Sequence, residues 1–155
     1  MMVRALDVRD EKKILSLLRI LQSEGHDLSV LSYLKDHASL LRALRDEVIV
    51  GSFDGEDLVG ILRSSRDSRH PHKCKLCIAF KNDYTGKGNA LHILEEAEPI
   101  MKKAGIEIIH ALIFSDNKKS IAFAEKAGFT YCGKFPYHHK VDGVVIDDMV
   151  YAKEL

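Results

Sequence analysis

Leu76-Cys77-Ile78-Ala79-Phe80-Lys81-Asn82-Asp83-Tyr84-Thr85-Gly86-Lys87-Gly88-Asn89-Ala90-Leu91 holds three local signals in succession. Leu76, Ile78 and Phe80 alternate with their neighbours at the period of a strand. Asn82 and Asp83 mark a turn. From about Gly88 to Lys103 the period changes, and Ala90, Leu94, Ala97, Met101 and Ala104 fall on one helical face, with Gly105 following as a stop. Pro99 lies inside this stretch and predicts a kink or a split. A strand ending in a glycine-rich turn at a helix start is an anion site: the first-turn N–H groups lack helical partners, and the dipole favours negative charge there. Glycine lets a phosphate approach the bare backbone. The stretch is neither a P-loop, since G-x-x-x-x-G-K-[ST] is absent, nor a dinucleotide fingerprint, which needs a glycine where Leu91 stands.

Working outward, Lys73–Lys81 is the strand before the turn and Arg66–His72 a polar loop. Glu47–Phe53 and Leu58–Ser64 flank Asp54-Gly55-Glu56-Asp57 as a hairpin. Met2–Leu6 is a first strand, and Asp7 can cap a helix carrying Ile14, Leu17, Leu18 and Leu21 that stops at Gly25. Leu28–Leu44 is a second helix with a candidate break near His37. After the long helix come a strand (Ile106–Phe114), a helix (Asn117–Ala127, ended by Gly128), and a hairpin of Thr130–Val141 with Val144–Ala152 around Asp142-Gly143. The order βααβββαβαββ predicts an α/β fold, a mixed sheet of about seven strands with helices on both faces. Residues 1–155 are expected to form a single domain, since the length suits one core.

Composition narrows the function classes. Lys plus Arg is 23 and Asp plus Glu is 23, so no bulk field points to nucleic acid or an anionic membrane. The charged N-terminus predicts no signal peptide, and no apolar run is long enough to span a bilayer. Three cysteines fit reduced thiols, and a cytoplasmic location is expected.

The central stretch resembles the acetyl-CoA motif of the GNAT acetyltransferases. Ile78-Ala79-Phe80 stands for its strand, and Tyr84 to Ala90 for its loop. Gly88 and Ala90 match the family's Q/R-x-x-G-x-G/A, while Thr85 replaces the Arg or Gln. The resemblance implies the GNAT fold over nearly the whole chain. It also implies acetyl-CoA as co-substrate, held by Ile78, Ala79, Phe80, Gly86, Lys87, Gly88, Asn89, Ala90, Leu91 and Asn117. The acceptor it implies is a primary amine, either a small molecule or a protein N-terminus. Relatives are often dimers, so a homodimer is a further expectation of the resemblance.

A second similarity runs from Asn117 to Phe129. Ala124 stands where many GNAT enzymes have a tyrosine that protonates the departing thiolate. The stretch and the tail Val141–Ala152 are closer to the ribosomal-protein N-terminal (RimJ/RimL-like) enzymes. That likeness implies Ser120 beside the coenzyme sulfur, and as base a residue nineteen positions on, here His139. Histidine suits proton work near neutral pH. The strand glutamate used by other relatives is missing, with Cys74 and Lys75 nearby. The alternative reading is a non-catalytic acyl-CoA-binding or regulatory domain of the same fold.

His70, His72, Cys74 and Cys77 are all ligand types, but strand parity points Cys77 away from the others, so no metal is expected. His110 reads as a hydrogen-bonded core histidine. Asp147 and Asp148 read as solvated hairpin residues, with substrate contact as the other possibility. Tyr131, Tyr137 and His138 share the sixth strand with His139 and are candidate walls of an acceptor pocket.

Overall fold

The computed structural model describes residues 1–155. One seven-stranded sheet has the order β1-β2-β3-β4-β5-β7-β6. Its strands are β1 (Met2–Ala5), β2 (Val48–Asp54), β3 (Asp57–Arg66), β4 (Lys73–Phe80), β5 (Ile108–Phe114), β6 (Thr130–Val141) and β7 (Val144–Glu154). The helices are α1 (Glu11–Ser23), α2 (His37–Asp46), α3 (Asn89–Lys103) and α4 (Lys118–Lys126). This is the expected order of elements. The expected helix over Leu28–Leu44 is instead a 3-10 segment, Ser29–Leu34, followed by α2. The break has a local cause: the Asp36 side chain accepts from the Ser39 N–H and so starts a new helix. No helix is long and apolar enough to cross a membrane.

Strand alternation builds two cores, one on each face of the sheet. Ile49, Ile61 and Ala79 pack on Ile14, Leu17, Leu18 and Leu21 of α1. Val50, Leu62 and Phe80 pack on Ile93, Leu94, Ala97 and Met101 of α3. Each fully buried Ile, Leu or Met of α3 contributes about 1.5–3 kcal/mol relative to exposure. Ala104 falls off this stripe: it lies just beyond α3 and is exposed, while Ile93 takes a buried place. Nor does Pro99 split α3, which runs through it. Pro99 and Glu95 are both exposed, so the carbonyl that loses its helical donor faces water. Gly60 leaves room for Phe80, because a Cβ there would lie 2.1 Å from the Phe80 ring.

Every neighbouring pair of strands is antiparallel except β4 and β5. These two pair in parallel only over Lys73–Lys75 with Ile108–His110, and then part. From Leu76 onward β4 has a strand partner on its β3 side alone. The β6–β7 hairpin turns at Asp142 and Gly143, whose positive φ values of 51° and 78° are those a two-residue primed turn requires.

Candidate active site

Beyond β4 the chain is pinned before it reaches the glycines. Lys81 Nζ lies 2.6 Å from Asp57, and the Tyr84 hydroxyl donates to Asp54 at 2.8 Å. The Thr85 hydroxyl donates to the Asn82 carbonyl and the Asn89 amide to the Tyr84 carbonyl, both at 2.8 Å. Thr85 thus braces the turn from within. Gly86 and Gly88 have φ of 72° and 81°, and an added Cβ would touch nothing at either position. Glycine is required there by backbone conformation rather than by space. The N–H groups of Gly86, Lys87, Gly88, Asn89, Ala90 and Leu91 donate to no group in the protein, and no acidic residue occupies the first turn of α3. Six consecutive free donors at the positive end of a helix form a cradle for an anion such as a pyrophosphate.

Where β4 and β5 part, a cavity of about 330 Å³ opens between them, walled by apolar side chains and by α4. Ile78, Asn117 and Ser120 line it. Ala79 and Phe80 do not, since their side chains face the two cores, and only their backbone can meet a ligand. The Asn117 side-chain oxygen accepts from the Ser120 N–H at 3.2 Å, capping α4 and leaving the amide nitrogen free. The half-buried Ser120 hydroxyl makes no hydrogen bond within the protein. Ala124, buried, fills the place of the family's tyrosine. Cys77 also faces the cavity; burial pushes its thiol up, away from the reactive thiolate.

His139 does not line this cavity. Its ring packs against Phe114, 4.2 Å between centroids, and Phe114 belongs to the cavity wall. The fold therefore places Ser120 inside the cleft and His139 behind Phe114. His139 Nε2 lies 3.5 Å from Asp148 Oδ2. Asp148 is 4% exposed, not solvated as expected. The register explains this: Asp148 is flanked by Phe114 on β5 and Phe135 on β6. Between Phe135 and His139 the register of β6 shifts, and Tyr137 adopts a φ of 58°. Asp147 holds this bulge by accepting from the Tyr137 N–H and from Lys134 Nζ, both at 3.0 Å. Those two bonds keep the Asp147 carboxyl below the usual carboxylate range.

The bulge turns His138 towards His139, with rings 4.8 Å apart and edge-on. The ligand atoms of His138, His139 and Asp148 all lie within 4.8 Å of one another, a set that could hold a metal ion. Sequence reading missed it because a bulge breaks the parity on which such reading relies. One signal was present: Asp148 shares the parity of Ile146 and Val150 and so falls on an apolar face. The two tyrosines do not wall the cleft: Tyr137 is 81% exposed, and Tyr131 packs on Tyr151. Cys74 and Cys77 sit in opposite cores, which divides the His70-to-Cys77 set. His110 is half-buried and makes no side-chain hydrogen bond. It lines a second, polar cavity with Arg66, Lys73 and Lys75. Burial, then the charges of Lys73 and Lys75, lower its pKa.

The sequence profile of the acetyltransferase (GNAT) family matches residues 14–129. YwnH of Bacillus subtilis (strain 168), provisionally assigned as a phosphinothricin acetyltransferase, is 39% identical over 70 residues. That match covers 45% of this chain and spans 43% of the length of YwnH. Among solved structures, ribosomal-protein-alanine N-acetyltransferase from Brucella melitensis superposes with a TM-score of 0.84 at 18% identity, over 100% of both chains. YncA of Salmonella typhimurium, solved with its cofactor acetyl-CoA, gives 0.78 at 18% identity, over 100% of this chain and 94% of its own. The likenesses to solved structures are likenesses of fold.

Proposed function

The chain belongs to the GNAT family of acetyltransferases, and on that premise we propose that it moves the acetyl group of acetyl-CoA to a primary amine, with residues 1–155 acting as one catalytic domain. The observation that carries this reading is the run of six free N–H donors from Gly86 to Leu91, set at the end of β4 beside the cleft. The pyrophosphate rests on those donors. The pantetheine follows the open edge of β4 past Ile78–Phe80, and the free amide nitrogen of Asn117 reaches it. The acceptor is the α-amine of a protein N-terminus or a small free amine. The Ser120 motif supports the first, and the 70-residue stretch shared with YwnH supports the second.

In the reaction the amine nitrogen attacks the thioester carbonyl. A backbone N–H on the open edge of β4 stabilises the oxyanion. His139, which Phe114 separates from the cleft, receives the amine proton through a bridging water, and the Ser120 hydroxyl passes a proton to the departing sulfur as it takes one from solvent. A thiol-release assay against a panel of amines and N-terminal peptides tests this. His139→Ala should cost on the order of 10² or more in rate, the usual worth of a positioned base. Ser120→Ala should lower kcat more than acetyl-CoA affinity, because it acts on the leaving group. Full activity in His139→Ala places the base elsewhere. Tight acetyl-CoA binding with no thiol release for any acceptor favours a non-catalytic acyl-CoA-binding domain.

A further inference from the structure

We propose that His138, His139 and Asp148 form a binding site for one divalent cation of the zinc class, a claim about binding in which cation and proton compete for the one acceptor nitrogen of His139, so that its base role belongs to the metal-free chain. The three side chains offer two imidazole nitrogens and a carboxylate oxygen within 4.8 Å of one another. That donor set is a common one for zinc and its neighbours. Asp148 supplies the independent observation. It is 4% exposed, and its Oδ1 has no hydrogen-bond partner. Its Oδ2 has only His139, at 3.5 Å. A buried carboxylate with so few donors is costly unless a cation compensates it.

The spacing favours a shared cation over a direct bond. At 3.5 Å the His139–Asp148 pair is too long for a charge-assisted hydrogen bond. Two ligands at 2.0–2.2 Å from a zinc in tetrahedral geometry stand about 3.4 Å apart. His138 is exposed on the bulge, so a small rotation of its ring brings its nitrogen to the third position. The fourth then faces solvent and takes water. The bulge is what makes the set possible. In a regular strand His138 and His139 would point to opposite faces, whereas the register shift between Phe135 and His139 lets both approach Asp148. Phe114 and Phe135 are the cross-strand neighbours of Asp148, and Asp147 pins the bulge without entering the set.

The test uses the whole chain, stripped with chelator and titrated with Co²⁺ and then Zn²⁺ by calorimetry and visible absorption. One equivalent of Co²⁺ should bind with intensified ligand-field bands, and Zn²⁺ should displace it. His138→Ala should weaken binding by more than about tenfold, since even the loss of an outer-shell partner has an effect of that order. Because His138 is exposed, that variant keeps its fold, whatever Asp148→Asn does to stability. His139→Ala and Asp148→Asn should weaken binding at least as much. No saturable equivalent in the wild-type chain overturns the proposal. So does binding that survives His138→Ala, or that is lost when Cys74 and Cys77 are together changed to Ser.

Discussion

Gly88 begins α3 with a φ of 81°, in a place where its own N–H and its neighbours' are all free. Gly88→Glu would strain that backbone and set a carboxylate among donors that await an anion. Acetyl-CoA binding measured by calorimetry should be abolished, and an unchanged affinity would remove the pyrophosphate from this loop. Asn117 allows a finer separation. Its side-chain oxygen caps α4 through Ser120, while its amide nitrogen is free for the coenzyme arm. Asn117→Asp keeps a capping oxygen and loses the donor; Asn117→Ala loses both. The first variant should bind acetyl-CoA more weakly at an unchanged Tm. The second should in addition lose about 1 kcal/mol of stability, the usual worth of a cap. If Asn117→Asp binds acetyl-CoA as tightly as the wild type, Asn117 is a structural cap alone.

At the scale of elements, β4 was legible because Leu76, Ile78 and Phe80 alternate, and α3 because its apolar residues recur at helical spacing. The limits of α3 were less legible. Pro99 removes one helical hydrogen bond and crowds the preceding turn, yet α3 runs through it, with the freed Glu95 carbonyl on the exposed side where water can satisfy it. The bulge of β6 has one mark in the sequence, Pro136, which cannot donate to the ladder and sits within the register shift, but Pro136 alone does not say that Asp148 becomes buried. Gly60 shows how one strand depends on another. Its absent Cβ is replaced by the Phe80 ring, the last residue before the turn. Gly60→Ala must displace an aromatic ring packed in the core, at a cost of about 1–3 kcal/mol. A urea titration should show that loss, and acetyl-CoA affinity should fall with it, since Phe80 leads into the glycine turn. A variant as stable as the wild type would mean that Phe80 can move freely.

For the molecule as a whole, stability should respond to pH in two stages. Asp7, Asp10, Asp36, Asp67 and Asp147 are all held below their ordinary range, Asp7 at about 2, chiefly by hydrogen bonds from arginine, serine or backbone groups. A depressed carboxylate contributes stability that is present above its unfolded pKa of about 4 and is lost as pH falls through the folded value. His110 acts earlier. Its folded pKa is lowered by burial, so below its unfolded value of about 6.5 the unfolded chain takes up the proton first. Urea midpoints should therefore decline gently below about pH 6.5 and steeply below about pH 4. His110→Gln should remove the gentle limb and leave the steep one, and persistence of both limbs would move the first to another group. Part of this arrangement is legible in the sequence, because Asp7, Asp36 and Asp67 accept from groups two or three residues on, whereas Asp10 and Asp147 draw on Arg4, Lys134 and the Tyr137 N–H, which the fold brings near.

The parting of β4 from β5 leaves a row of backbone donors and acceptors without a neighbour from Leu76 to Phe80. On the rim of a sheet such a row would recruit any passing chain and invite aggregation. Here it lies at the bottom of a slot between two strands of one sheet, roofed by α4 and by the segment around Leu28. The molecule keeps this row of donors and acceptors ready for a ligand, and the walls of the slot, rather than charge or proline, shield it from its neighbours.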